Sequence, residues 1–435
     1  MTPQKITDQQ IIEDPKIQNF LFTKQSNQQL TKRKYLLVLK KFFRTIQITP
    51  TNLIDKITIE QRNKIVDNTI IEYDPNQGTL TYIINNWVKT SQENGIRNTT
   101  IKSQLGVIRT FLKTYNIKQP NTIQLNCKNK EWYLLTKDII KTAIDLANIQ
   151  QRAIFSFAAS TGFRVGDISR FTIGDFIQAT YEYHHCTELE DFLNQAPKNM
   201  MGYWEFYPHK TQRKEIKCKT FNTPESSNYI LDYLKYRKSK IILSNRKNNT
   251  KVVMKKSDGL FAPSRDIRKK HYVHRAMGSI FDRMNVKIHK LEVEKLNAKL
   301  RNKEISQETY DQQIQEIPKF KAHQLRKYNH SILADHGVSL RVAAIMEGHK
   351  LPGENAKSYI KISKESIKQN YLECLEDLSF EKTEVNKITT QDKEMYNKKF
   401  KEYDELFRKI GIIDEFGIKP DEVNIEEINL ENLKL

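Results

Sequence analysis

Residues 323–350 read HQLRKYNHSILADHGVSLRVAAIMEGHK. His323 and Arg326 stand three apart, so on a helix one turn presents both to the same ligand. A glycine turn follows, and the stretch ends on Gly348-His349. Alone, H-x-x-R is a weak signal, because a solvated helix face produces it as readily. Upstream lies Arg164 in TGFRVGDISRFTIGDF (161–176), and downstream Tyr359 in AKSYIK (356–361). Two arginine forks from distant segments can grip one phosphodiester, two imidazoles can hydrogen-bond it and move protons, and a tyrosine hydroxyl can attack it.

The composition agrees with a polyanionic partner. The 435 residues carry 72 Lys+Arg against 52 Asp+Glu, a net charge of +20. Residues 381–435 are acidic on balance, so the positive charge belongs to the body before them. Such a body suits neutralisation of a DNA backbone, although a lysine-rich solvated surface gives the same count. Cys127, Cys186, Cys218 and Cys374 form no C-x-x-C pair, which argues against a disulfide framework or a structural zinc site. His184-His185-Cys186 lacks a second matched pair of ligands and reads as local structure. A membrane-length apolar run, a phosphate-binding P-loop and a dinucleotide fingerprint are all missing from the sequence. The expectation is a soluble, cytoplasmic, nucleoid-associated protein with no membrane segment, no cofactor and no metal.

Periodicity predicts a mainly α chain with a small β-sheet. LTKRKYLLVLKKFF (30–43) puts Tyr35, Leu36, Leu39 and Phe42 on one face, and similar patterns recur at Leu80–Val88 and Thr100–Tyr115, the last with Asn98 or Thr99 as cap. Residues 1–117 thus read as a bundle of about four helices, 118–130 as a linker, and 131–380 as a second domain. In the second domain Thr136 caps a helix, and WEFYPHKTQRKEIKCKTFNT (204–223) alternates like a hairpin with its turn near Thr211–Lys214. Helices are expected at about Ser226–Leu243 and Arg275–Met284. A charged helical hairpin, with Val293, Leu296 and Leu300 at heptad-like spacing, is expected as an insertion over about 287–317. In the tail, 381–435, Tyr396, Phe400, Tyr403, Phe407 and Ile410 predict an amphipathic helix that packs on its own domain or on a neighbouring protomer.

The two boxes together resemble those of tyrosine recombinases and phage-type integrases. TGFRVGDISRFTIGDF is similar to the family's first arginine box, with an acidic residue, Asp167, three after Arg164, and residues 323–350 are similar to the second. NAKSYIKISKESIKQNYLECLEDLSF (355–380) has the look of archaeal and archaeal-virus integrases, and the likeness spans about Leu135 to Leu378. The resemblance implies a helical core-binding domain followed by the family's catalytic domain, closing on double-stranded DNA as a basic clamp. It also implies a homotetramer on synapsed DNA. It makes Tyr359 the nucleophile, Arg164 and Arg326 the phosphate clamp, His323 a proton-transfer partner, His349 a phosphate donor and Asp167 a support. The general-acid lysine of the family's hairpin best matches Lys210, with Lys214 and Lys217 as competitors.

The interval from His349 to Tyr359 is slightly longer than the commonest family spacing, so Tyr371 stays in view as an alternative nucleophile. The function implied is site-specific recombination through a 3′-phosphotyrosine, for integration or excision of a mobile element. A type IB topoisomerase-like relaxing enzyme and a catalytically idle DNA-binding protein are the alternatives.

Overall fold

The computed structural model describes residues 5–24, 29–62, 64–66, 69–121, 123–127, 133–212, 215–263, 272, 274–349 and 362–381. Tyr359, Lys214 and the Tyr396–Ile410 stripe lie outside the described residues. The chain divides into two compact units, Met1–Glu131 and Trp132–Leu435.

The first unit is helical. It holds α1 (Asp8–Glu13), α2 (Pro15–Thr23), α3 (Gln29–Ile46), α4 (Pro50–Glu60), a short antiparallel hairpin β1 (Lys64–Val66) and β2 (Thr69–Ile71), then α5 (Thr79–Glu93) and α6 (Asn98–Thr114). Its core forms where the helical stripes meet: Phe20, Phe42, Phe43, Trp87 and Phe111 are fully or almost fully buried, and Phe43 and Phe111 meet edge to face at 5.6 Å. Within the 30–43 stretch, Leu39 and Phe42 are buried as the spacing predicts, and Phe43 joins them. Asp14 ties two helix starts together, accepting from Lys16 N at 2.9 Å and from Thr51 N at 3.0 Å. The cap expected at Asn98 or Thr99 is not there. Arg97 is the N-cap and makes no side-chain cap bond. The Asn98 amide donates instead to Asn126 O, 2.8 Å away, so the chain after the helix has claimed it. Ile117, Ile123 and Leu125 pack along the same core, which keeps this stretch on the first unit.

In the second unit everything is arranged around α8 (Ile149–Thr161), which follows α7 (Lys137–Asp145). From Ala153 to Thr161 every residue of α8 is buried, the pattern of a helix enclosed on all sides, and it packs against α7, α12 and α15. Thr136 caps α7 as the sequence predicts, accepting from Ile139 N. After α8 come α9 (Val165–Ile168), α10 (Ile173–Ala179), α11 (Leu189–Gln195) and the predicted hairpin, β3 (Tyr203–Phe206) against β4 (Cys218–Phe221) in the register Tyr203↔Phe221 to Phe206↔Cys218. Next are α12 (Pro224–Asn248), α13 (His274–Arg301), α14 (Gln307–Glu316), α15 (Ala322–Asp335), α16 (Leu340–Met346), α17 (Lys364–Glu373) and α18 (Leu375–Leu378).

Two boundaries differ from expectation. Helix α12 is longer at both ends, from the Thr223 cap to the left-handed Asn249. The separate helix at 275–284 and the first arm of the insertion are one 28-residue helix, α13. No glycine or proline interrupts residues 285–301, so nothing stops the helix. The second arm, α14, folds back on α13, pinned by Tyr310 Oη donating to Asn297 Oδ1 at 2.7 Å. Among the described residues no helix is long and apolar enough to cross a membrane.

Candidate active site

The C-terminal end of α8 builds the site's floor. Helix ends leave carbonyls without intrahelical partners, and here other elements supply the donors. Gly162 ends α8 at φ +63, in the left-handed region. A Cβ there would also meet Asn329 Oδ1 at 2.6 Å, so the close approach of α15 requires glycine. Asn329 Nδ2 donates to Ala159 O (3.0 Å) and Ser160 O (2.9 Å), Tyr371 Oη to Ser160 O (3.0 Å), and Arg326 to Gly162 O (2.6 Å). The helix terminus thereby fixes Arg326 and delivers Arg164, the N-cap of α9, two residues further on.

The two arginine side chains converge. Arg326, 6 % exposed, also donates to Glu347 O at 2.8 Å, and the Arg164 guanidinium comes within 3.5 Å of the same oxygen. Burial works against the Arg326 charge, as does Arg164 beside it, and the Glu347 carboxylate at 3.7 Å supplies the countercharge. His349 follows Gly348, whose φ is +61 and whose Cβ would strike Pro208 at 2.6 Å, so the β3–β4 hairpin packs directly on this turn. The His349 ring is held on both sides, with Nδ1 2.9 Å from Glu347 Oε2 and Nε2 2.9 Å from Arg326. Arginine only donates, so Nε2 accepts and the ring proton sits on Nδ1. Burial, Arg326 and Arg164 hold His349 below its ordinary titration range, against the pull of Glu347.

His323 sits one helical turn before Arg326 and is exposed. Burial of the ring, then the cations Lys327, Arg326, Lys210 and Arg164, push its titration down, so it is neutral near pH 7 and able to accept a proton. Lys210, exposed in the turn after β3, therefore belongs to the same cationic group. Asp167 explains how that turn is held. It is 6 % exposed and accepts from His209 N at 2.9 Å, which joins the first arginine box to the lysine-bearing turn.

Among the competitors, Lys217 is paired with Glu205 and lies over the Tyr207 ring at 5.6 Å, and its bond to Glu205 raises its titration, which disfavours release of a proton. Tyr371 is fully buried, packs on Phe221 at 5.8 Å, and has its hydroxyl pushed well above its ordinary value by burial. It is a core tyrosine whose hydroxyl is spent on Ser160 O. His184 is likewise structural: Cys186 N donates to its Nδ1 at 2.9 Å, Thr180 Oγ1 is 3.1 Å from its Nε2, and burial lowers its titration to about 4. Among the described residues no group of three or more His, Cys, Asp or Glu could hold a metal ion.

Three groups of this site, Glu347, His330 and Cys218, are not singled out by the sequence motifs. Glu347 is 3 % exposed and touches Arg326, His349 and, through Oε1 at 3.1 Å, His330 Nδ1. Cys218 lies fully buried under the arginines and donates to Met346 O at 3.0 Å, with burial raising its thiol far above the usual range. The available signal was a carboxylate two residues before His349, in EGH.

No family model matches the chain, and no curated protein does. Solved structures similar to it include XerA recombinase, at 14% identity and a TM-score of 0.28 over 88% of this chain and 97% of that one. The Tn1549 transposon integrase in complex with transposon right-end DNA is similar at 13% identity and a TM-score of 0.47, over 81% of this chain and 96% of that one. A lambda integrase dimer bound to a COC′ core site is similar at 13% identity and 0.42, over 80% and 98%. These three solved structures are a recombinase and two integrases.

Proposed function

We propose that this chain is a site-specific DNA recombinase that cuts and rejoins strands through Tyr359. The observation that carries the reading is the meeting of Arg164 and Arg326, 162 positions apart in sequence, at one carbonyl oxygen, with His349 on the same guanidinium. Two buried or half-buried cations brought together this closely repel each other, and an anion seated between them relieves that cost. Three of the five donors of the Arg326 fork hold it to the protein, and in this reading the others serve the phosphate.

In this mechanism the Tyr359 oxygen attacks phosphorus, its proton passing to neutral His323. The bond from phosphorus to the 5′ oxygen breaks, and Lys210 protonates the departing oxygen. The product is a 3′-phosphotyrosyl ester and a free 5′ hydroxyl. A 5′ hydroxyl from a partner duplex then reverses the step, which calls for a tetramer on two duplexes and suits the integration or excision of a mobile element. Exposed Arg33, Lys34 and Lys102 on the first unit provide further backbone contacts.

The test is a nicked suicide duplex that traps the covalent adduct. Adduct from the parent, reduced roughly a hundredfold or more in Arg164→Lys and Arg326→Lys, is the expected result. DNA binding without adduct on any duplex of a randomised pool would favour the idle binder, and relaxation of supercoils without strand exchange the topoisomerase-like alternative.

A further inference from the structure

Among the described residues Glu347 is a buried carboxylate shared by two imidazoles, and it is not among the residues the arginine boxes single out. Its Oε2 is 2.9 Å from His349 Nδ1 and its Oε1 is 3.1 Å from His330 Nδ1. The carboxylate is 4 % exposed, while the His349 and His330 side chains are about half exposed. Water therefore screens the rings far more than it screens the charge between them.

We propose that Glu347 is a positioning residue that fixes the Nδ1 proton of His349, stabilises a second proton on Nε2, and divides its charge between His349 and His330. The proposal rests on the reading of this site as a phosphodiester seat. Without phosphate, Nε2 accepts from Arg326 and cannot donate. Once phosphate draws Arg326 toward itself, Nε2 gains a proton and donates to a non-bridging oxygen, because Glu347 behind the ring stabilises the cation. His330, when protonated, competes for the same carboxylate.

The groups that face His349 are Arg326 and His330 from α15, Arg164 at the start of α9, and Glu347 on its own turn; Cys218 of β4 and Asp167 of α9 border the same charges. The cations and burial disfavour its second proton, and Glu347 favours it. The sign of each substitution follows. Glu347→Gln keeps a carbonyl for Nδ1–H, since Arg326 still fixes Nε2 as acceptor, but removes the charge, so His349 loses its proton at lower pH. His330→Asn removes the competitor, so His349 keeps its proton to higher pH.

The experiment follows the His349 ring nitrogens by proton–nitrogen NMR across pH in the free full-length protein, and the adduct yield across pH on the suicide duplex. The parent should show the proton on Nδ1. Titration and the alkaline limb of cleavage should move down together in Glu347→Gln, with roughly tenfold less adduct above neutral pH, and up together in His330→Asn. The surface position of His330 keeps the second variant informative should the first not fold. Unmoved His349 signals in both variants would overturn the inference while leaving the cleavage reading intact. His349 signals that move in the variants while the cleavage limb does not follow would overturn it too, reducing Glu347 to a counterion. A parent that forms no adduct at all removes the cleavage reading, and with it the donor role given to His349.

Discussion

Taking away the Arg326 guanidinium would leave the Glu347 carboxylate buried without its cation and Gly162 O without its donor. Arg326→Ala should therefore lose about 3 kcal/mol of stability as well as all cleavage, measurable by urea denaturation of the second unit. Tyr371→Phe separates the two tyrosines. It deletes one bond to Ser160 O, which keeps Asn329 as a donor, so a cost of about 1 kcal/mol and undiminished adduct are expected. Loss of adduct in that variant would restore Tyr371 as nucleophile. The sequence made Arg164, His323, Arg326 and His349 legible because their local spacing and glycine turns are linear features. Glu347 was not legible: its partners come from another helix and its burial is a tertiary fact. The Asp167 carboxylate was read as a support, but only the fold shows that it holds His209 N, and with it the lysine-bearing turn.

At the scale of elements, the end of α8 is the joint on which both arginine boxes depend. Gly162→Ala should destabilise the second unit by at least about 1 kcal/mol, through the left-handed backbone and the clash with Asn329, and should weaken anion binding with it. A second joint is the start of α12. Glu225, 1 % exposed, accepts from Phe380 N at 2.8 Å, and burial raises its titration to about 7. A carboxyl raised in the folded state contributes stability below its unfolded value, and this is lost as pH rises from the ordinary carboxylate range through about 7. Glu225→Gln should remove that dependence and raise the melting midpoint at pH 8 by roughly 3 °C, with little change at pH 5. Elements were legible where a period and a stop signal coincided, as in the β3–β4 hairpin and the Thr136 cap. The unbroken α13 is not legible in the sequence, where its apolar start and its charged continuation read as separate elements although no glycine or proline divides them.

For the whole molecule, the positive charge before residue 381 is the long-range term. Non-specific duplex affinity should fall steeply between 50 and 200 mM salt, roughly a thousandfold if six phosphates are neutralised, and the slope should drop by about one for each of Arg33, Lys34 or Lys102 that is replaced by Ala and contacts a phosphate. A salt-independent affinity would mean the basic surface is only solvated. Composition gave the sign of this charge; only the fold separates cations spent on Glu205 or Asp282 from those left outward. In the proposed function the two arginines, the imidazoles and Tyr359 serve one phosphate. Its most direct test is mass spectrometry of the digested protein–DNA adduct. A nucleotide remnant is expected on the peptide containing Tyr359 and none in Tyr359→Phe; a remnant on Tyr371 or on any other side chain would show that Tyr359 is not the nucleophile.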